Sequence, residues 1–171
     1  MKYYFLLLFL QLQLFASLDN INSFEADFTQ SITDEKNKTI SYTGHIVALK
    51  PDNARWTYAK PVKKDVFMNS YDVVIVESEI EQVIIRKVES NFDFFNMIAN
   101  AKKIKENVFT TNYKDTVFTI VKKGALIESI SYKDEFENKV HIVFKNQKQN
   151  KTIEKKLFIP SYPLEYDVIR D

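Results

Sequence analysis

Ser23-Phe24-Glu25-Ala26-Asp27-Phe28-Thr29-Gln30 puts Phe24, Ala26 and Phe28 on one parity and Glu25, Asp27 and Thr29 on the other. Ile32 extends the apolar side, Ser31 and Thr33 the polar one, so the stretch predicts a β-strand with one buried and one wet face. Leu18, Ile21, Phe24 and Phe28 also lie at helical spacing, which predicts a short helix leading into the strand. After the polar link Asp34-Glu35-Lys36-Asn37-Lys38 the alternation resumes in Ile40-Tyr42-Gly44-Ile46-Ala48, which reads as a hairpin. Further strands are predicted over Val66–Met68, Tyr71–Val76, Ile80–Lys87, Val117–Lys122, Leu126–Tyr132, Val140–Lys145, Ile153–Ile159 and Leu164–Ile169. Asn69-Ser70 and Asp134–Asn138 supply turns between them.

Some ten strands with short polar links and no strand–helix–strand rhythm predict one large antiparallel sheet. Such a sheet curls or closes into a barrel because that limits its open edges. The segment 91–101 interrupts the pattern: Phe94, Ile98 and Ala101 are at helical spacing with Phe95 and Met97 beside them. It predicts a helix of about two to three turns inserted mid-sheet.

Composition narrows the chemistry. The chain has 171 residues, 45% hydrophobic, enough for one domain with a real core. Lys+Arg 24 against Asp+Glu 23 gives a net charge of +1, so no basic field suggests a nucleic acid partner. Two glycines exclude glycine-rich phosphate loops, and the absence of cysteine excludes disulfides, thiolate metal sites and an acylated N-terminal cysteine. His45 and His141 both read as solvent-side strand residues, and no metal site or activated serine context is found. Glu77, Glu79 and Glu81 read as a solvated loop cluster, so no catalytic residue, enzymatic activity or cofactor is expected. Lys102-Lys103-Ile104-Lys105 reads as the solvated end of the preceding helix. Asn37-Lys38-Thr39, with Glu35 two residues before the asparagine, and Asn150-Lys151-Thr152 fit glycosylation sequons.

Met1-Lys2 followed by a short apolar run, interrupted by Gln11 and Gln13 and ending in Ala16-Ser17, has the pattern of a secretory signal peptide. It is short for a membrane span of about 20 residues. Residues 1–16 are expected to be removed by cleavage after Ala16 or Ser17, leaving 17–171 as a single soluble, exported domain.

Phe, Tyr and Trp make up 14% of the chain, spread over the alternating strands. That load fits either a packed core or a hydrophobic cavity, because a half-barrel has more concave apolar face than one short helix fills. The order of landmarks goes further. Ser23–Gln30 resembles the SFxAxFTQ opening of the LolA family of periplasmic outer-membrane lipoprotein carriers. Lys50-Pro51-Asp52-Asn53-Ala54-Arg55-Trp56-Thr57-Tyr58, with Pro61, is similar to the family's RPxxFRWxY…P. Asn69-Ser70 stands at its hairpin, Glu81-Gln82-Val83 resembles its EQV, and Phe158-Ile159-Pro160 with Asp167-Val168 resembles its closing segment.

The resemblance implies a mainly β (α+β) fold: an incomplete, strongly curved antiparallel β-barrel with a helical lid over a hydrophobic cavity. The cavity and lid would use Phe24, Phe28, Trp56, Tyr58, Phe92, Phe94, Phe95 and Ile98, with Lys50 as the lid latch. The partners implied are triacylated outer-membrane lipoproteins, an inner-membrane ATP-driven lipoprotein-release complex and, in many species, an outer-membrane lipoprotein acceptor. That acceptor carries an acylated cysteine, so the soluble, monomeric periplasmic carrier is the expected role. A lipid or glycolipid sensor or shuttle, a non-enzymatic envelope interaction protein and, last, an esterase are the alternatives. Lys50 stands where the family has arginine, Ala54 where it has a large apolar residue, and Tyr162-Pro163 where Pro-Gly is usual. Lys50, Ala54, Trp56 and Tyr58 share a parity and would face one side of a continuous strand.

Overall fold

A computed structural model describes residues 18–87 and 94–170. After a 3-10 turn at Leu18–Asn20 come β1 (Ser23–Thr33), β2 (Thr39–Leu49), β3 (Asn53–Lys60), β4 (Lys64–Met68), β5 (Asp72–Glu77) and β6 (Gln82–Lys87). The helix α1 (Phe94–Ala99) follows, then β7 (Lys102–Lys105), β8 (Val108–Tyr113), β9 (Thr116–Lys123), β10 (Leu126–Lys133), β11 (Lys139–Gln149) and β12 (Asp167–Arg170).

All twelve strands form one curved sheet in the order β12-β6-β5-β4-β3-β2-β1-β11-β10-β9-β8-β7. Every neighbouring pair is antiparallel except β12 beside β6, where Val168 stands opposite Val83. The sheet is open, with β12 and β7 as its edges.

The register explains where the core sits. Phe28 lies opposite Gly44 in β2 and Phe144 in β11, so the apolar parity of β1 continues across the middle of the sheet. Phe24, Ala26, Ile46, Ala48, Ile120, Ile127 and Val140 are all buried on this inner face. Their partners of opposite parity (Glu25, Asp27, His45) lie outside, where His45 Nδ1 is 2.8 Å from Asp27 Oδ1. Asn146 Nδ2 donates to the other carboxylate oxygen of Asp27 at 2.7 Å. That bond first, and His45 next, hold the Asp27 carboxyl below its usual range.

The helix is shorter than the segment that predicts it, and residues 91–93 lie outside those described. Six residues cannot hold a helix by backbone bonds alone. Burial of Phe94, Phe95, Met97 and Ile98 against the sheet does so, each contributing about 1.5–3 kcal/mol as an upper estimate.

Four expectations are corrected. Residues 153–159 form no strand; Lys155–Phe158 is a 3-10 turn, because Glu154-Lys155-Lys156 breaks the alternation. Lys102–Lys105 is the edge strand β7 rather than a helix end, and lysine at an edge discourages pairing with other chains. The strand at the end of the chain is Asp167–Arg170, and it runs parallel to its neighbour. Lys50 is not in a continuous strand with Ala54, since β2 ends at Leu49 and β3 begins at Asn53.

The outer face of β4–β6 is also covered. Phe67, Val76 and Val83 are buried there, with Val74 and Ile85 beside them, under Tyr162, Tyr166 and Val168 of the last segment. That segment is pinned next to β6 by the bond from Asp167 N to Glu81 O at 2.9 Å.

Candidate functional site

Between α1 and the inner face of the sheet lies a cavity of about 330 Å³. On one side it is walled by Ala54, Trp56 and Tyr58 of β3 with Val66 and Met68 of β4, and on the other by Phe118, Ile130, Tyr132 and Ile142. Phe94 and Met97 of α1 form its roof. The lining is mainly apolar, as a site for hydrocarbon must be.

The candidate residues fall into three groups. Trp56, Tyr58 and Phe94 line the cavity directly. Phe24 and Phe28 lie beneath it: the Phe24 ring is 5.4 Å from Phe94, and Phe28 is 5.1 Å from both Trp56 and Tyr58. Phe95 and Ile98 are buried on α1, 2% and 1% exposed, and are packed into the core. Lys50, though in a turn, has its Nζ 6.0 Å from the Phe95 ring centroid, within cation–π range. Phe92 lies outside the described residues.

The sequence reading did not place the far wall. Phe118 and Ile142 share the parity of their strands' buried residues, which was the available signal, whereas the bulge between Ile127 and Ser129 puts Ile130 and Tyr132 on the parity opposite to buried Ile127. Met97 was noted beside the helical stripe and proves to be roof. Ala54 borders the cavity as well.

Two polar features interrupt the lining. Asp52 ties down the β4–β5 turn: its carboxylate accepts from Ser70 N at 3.1 Å and from the Ser70 hydroxyl. Gln30, only 8% exposed, accepts at Oε1 from the Tyr58 hydroxyl at 3.0 Å. Burial first, then Tyr132 and Tyr42, holds the Tyr58 hydroxyl well above its usual range. Burial and then Asp134 raise that of Tyr132.

These shifts carry a pH dependence. The unfolded chain ionises both tyrosines near pH 10 while the folded chain resists, so their contribution is intact below about pH 10 and is lost as pH rises further. Thermal unfolding should therefore be insensitive to these groups from neutrality to about pH 9.5 and weaken above about pH 10. The fall should be shallower in Tyr58→Phe; an identical profile in wild type and variant would contradict the assignment.

On the outer face, His141 Nδ1 is 2.8 Å from Ser131 Oγ. Among the described residues no three His, Cys, Asp or Glu stand close enough to hold a metal ion. Of the two sequons, Asn37 lies exposed at the β1–β2 turn with φ 59°, whereas Asn150 Oδ1 is occupied by Asn22 N at 2.7 Å.

A family profile described as "Outer membrane lipoprotein carrier protein LolA" matches residues 19–116, from the 3-10 turn to the start of β9. The chain belongs to the LolA family. An outer-membrane lipoprotein carrier protein of Campylobacter jejuni is 39% identical over 171 residues, covering 99% of this chain and 100% of its own length. That of Wolinella succinogenes is 30% identical over 157 residues, covering 91% of each chain. An uncharacterized conserved protein of Thermus thermophilus, of known crystal structure, shares the fold with a TM-score of 0.53 at 13% identity, over 90% of this chain and 93% of that one. Lys50 lies against α1 and Ala54 borders the cavity beneath it. Among its described residues no helix is long and apolar enough to cross a membrane.

Proposed function

We propose that this chain is a periplasmic carrier that shields the acyl chains of outer-membrane lipoproteins between the two membranes. The observation behind it is the apolar cavity beneath a short helix whose own side chains, Phe94 and Met97, fill part of the space. The relatives' designation as outer-membrane lipoprotein carrier proteins supports lipoproteins as the cargo. Residues 1–16 would act as the export signal and be removed. The carrier would work as a monomer without a cofactor, loaded by an ATP-driven inner-membrane complex and emptied at an outer-membrane acceptor or at the membrane itself.

The energetics fit such a cycle. Burying one 16-carbon chain is worth roughly 12 kcal/mol at about 0.8 kcal/mol per methylene. A lipid-modified protein therefore stays in the membrane unless the carrier offers comparable cover. Sealing by Phe94, Phe95, Met97 and Ile98 provides that cover when the site is empty, and their displacement provides it when the site is loaded. In this reading Lys50 biases α1 toward the sheet, and Phe24 and Phe28 set the floor on which Trp56 and Tyr58 stand.

The test is recovery of a soluble one-to-one complex with a triacylated lipoprotein, by native mass spectrometry after incubation with spheroplasts. Trp56→Glu places a carboxylate against the chains, and desolvating it costs several kcal/mol. It should weaken the complex by about 100-fold or more. Free wild-type protein alone, with an active donor complex present, would favour a sensor or a structural envelope protein instead.

A further inference from the structure

The cavity is not uniform along its length. The helix packs at the start of β1, where Phe94 meets Phe24 at 5.4 Å. Gln30 lies six residues further along the same strand, a distance of about 20 Å at the usual rise. There Gln30, Tyr58 and Tyr132 all line the cavity, and they bring hydrogen-bonding groups to an otherwise apolar wall. Tyr132 has a second exposure. It also lines a separate, polar groove between the β8–β9 and β10–β11 turns, so one side chain stands between hydrocarbon-like and water-like surroundings.

Resting on the carrier reading, we infer that Gln30, Tyr58 and Tyr132 form a binding site for the acyl-ester carbonyls of a diacylglyceryl group. The site orients the lipid with its chain ends toward α1 and its polar head toward the groove beyond Tyr132. The hydrogen-bond arithmetic supports this end over the other. An ester carbonyl accepts only, so it needs donors. Asp52, at the α1 end, is an acceptor whose carboxylate is engaged by Ser70 and Asn53. At the Gln30 end, the Tyr58 hydroxyl proton is given to Gln30 Oε1. That leaves the Gln30 amide nitrogen and the Tyr132 hydroxyl as donors. Burial keeps both tyrosines protonated, and hence able to donate, at any physiological pH.

The groove indicates which diacylglyceryl compound is held. Lys114, Lys133 and Lys139 share it with four carboxylates, and Lys133 Nζ is 2.6 Å from Glu137 Oε2. With its lysines outnumbered, the groove gives no net attraction to a phosphate headgroup. It suits an uncharged glyceryl thioether leading into a polypeptide with mixed polar side chains. The source assigned is therefore a lipopeptide rather than an anionic phospholipid.

Trp56 is the only tryptophan and lines the cavity, so its fluorescence reports occupancy. Protein expressed from the full chain and purified from the periplasmic fraction would be titrated with two short-chain S-glyceryl cysteine peptides. One carries two octanoyl esters, the other two octyl ethers of equal length. Wild type should bind the ester roughly tenfold more tightly, as one or two neutral hydrogen bonds in a dry site allow. The ratio should fall to less than about threefold in Gln30→Leu and in the milder Tyr132→Phe. Dioctanoyl phosphatidylglycerol should bind more weakly than the lipopeptide. A ratio near one in wild type, or a tenfold ratio kept by both variants, overturns the site. Phosphatidylglycerol binding as tightly as the lipopeptide overturns the assigned source. Binding of neither peptide overturns the carrier reading along with this one, whereas tight binding of both with no preference overturns this one alone.

Discussion

Gly44→Ala should give a strongly destabilised protein. A methyl group at Gly44 would stand 2.2 Å from the backbone oxygen of Thr57 and 2.7 Å from Cζ of Phe28. Neither can give way cheaply. Thr57 is in the ladder between β2 and β3, where the register already shifts beside Gly44. The Phe28 ring is held between Trp56 and Tyr58, 5.1 Å from each. Overpacking at a fixed site costs about 3 kcal/mol or more, a large share of the 5–15 kcal/mol that holds a typical domain together. For a chain of this size that corresponds to a fall in melting temperature of roughly 10 °C. A variant melting within about 2 °C of wild type would show that Phe28 is free to move, and with it the cavity floor.

Locking α1 should abolish loading. A methylene fills about as much space as a water molecule in the liquid, roughly 30 Å³, so the present cavity holds on the order of ten carbons. Three long acyl chains need several times that volume, and the walls are strands fixed by their neighbours. The roof is a six-residue helix. The native chain has no cysteine, so Lys50→Cys together with Asn96→Cys on the exposed side of α1 can be joined by a short reagent with a cleavable disulfide. The joined protein should take up a triacylated lipopeptide at least 100-fold less well than the same protein after reductive cleavage. Equal uptake in the two forms would mean that the chains enter without moving the helix, through the open sheet edges.

The central strands were legible because their periodicity is local. Phe24, Ala26 and Phe28 announce a buried face within five residues, and Phe94 with Ile98 announce a helix face just as briefly. What escaped lacks a clear apolar alternation of its own or depends on its partners. Lys102-Lys103-Ile104-Lys105 has the composition of a solvated end, and only the neighbouring β8 makes it a strand. Thr110-Thr111-Asn112 carries too little apolar character to mark β8 by itself. The far wall of the cavity depends on β11 being laid beside β1, a pairing across more than a hundred residues, with β10 and β9 following it. The cover over the outer face of β5, Tyr162 and Tyr166, comes some ninety residues later in the chain, so nothing local to the strand shows it. In Ile153–Ile159 the apolar residues suggested alternation, and the charges between them decided otherwise.

The position of β1 in the sheet has a consequence for how the molecule is assembled. Its two neighbours are β2, reached through a tight turn, and β11, which begins at Lys139. On one side of β1, β2 to β6 follow each other as hairpins, and on the other β7 to β11 do the same, so each wing is built from sequence-local pairings. The seam between β1 and β11 is long-range, and its loop-closure cost is met only once both wings exist. As the chain is made from its N-terminus, β1 therefore keeps one unsatisfied edge until β11, near the far end of the sequence, is available. The central strand of the sheet is thus among the last to have both of its edges paired.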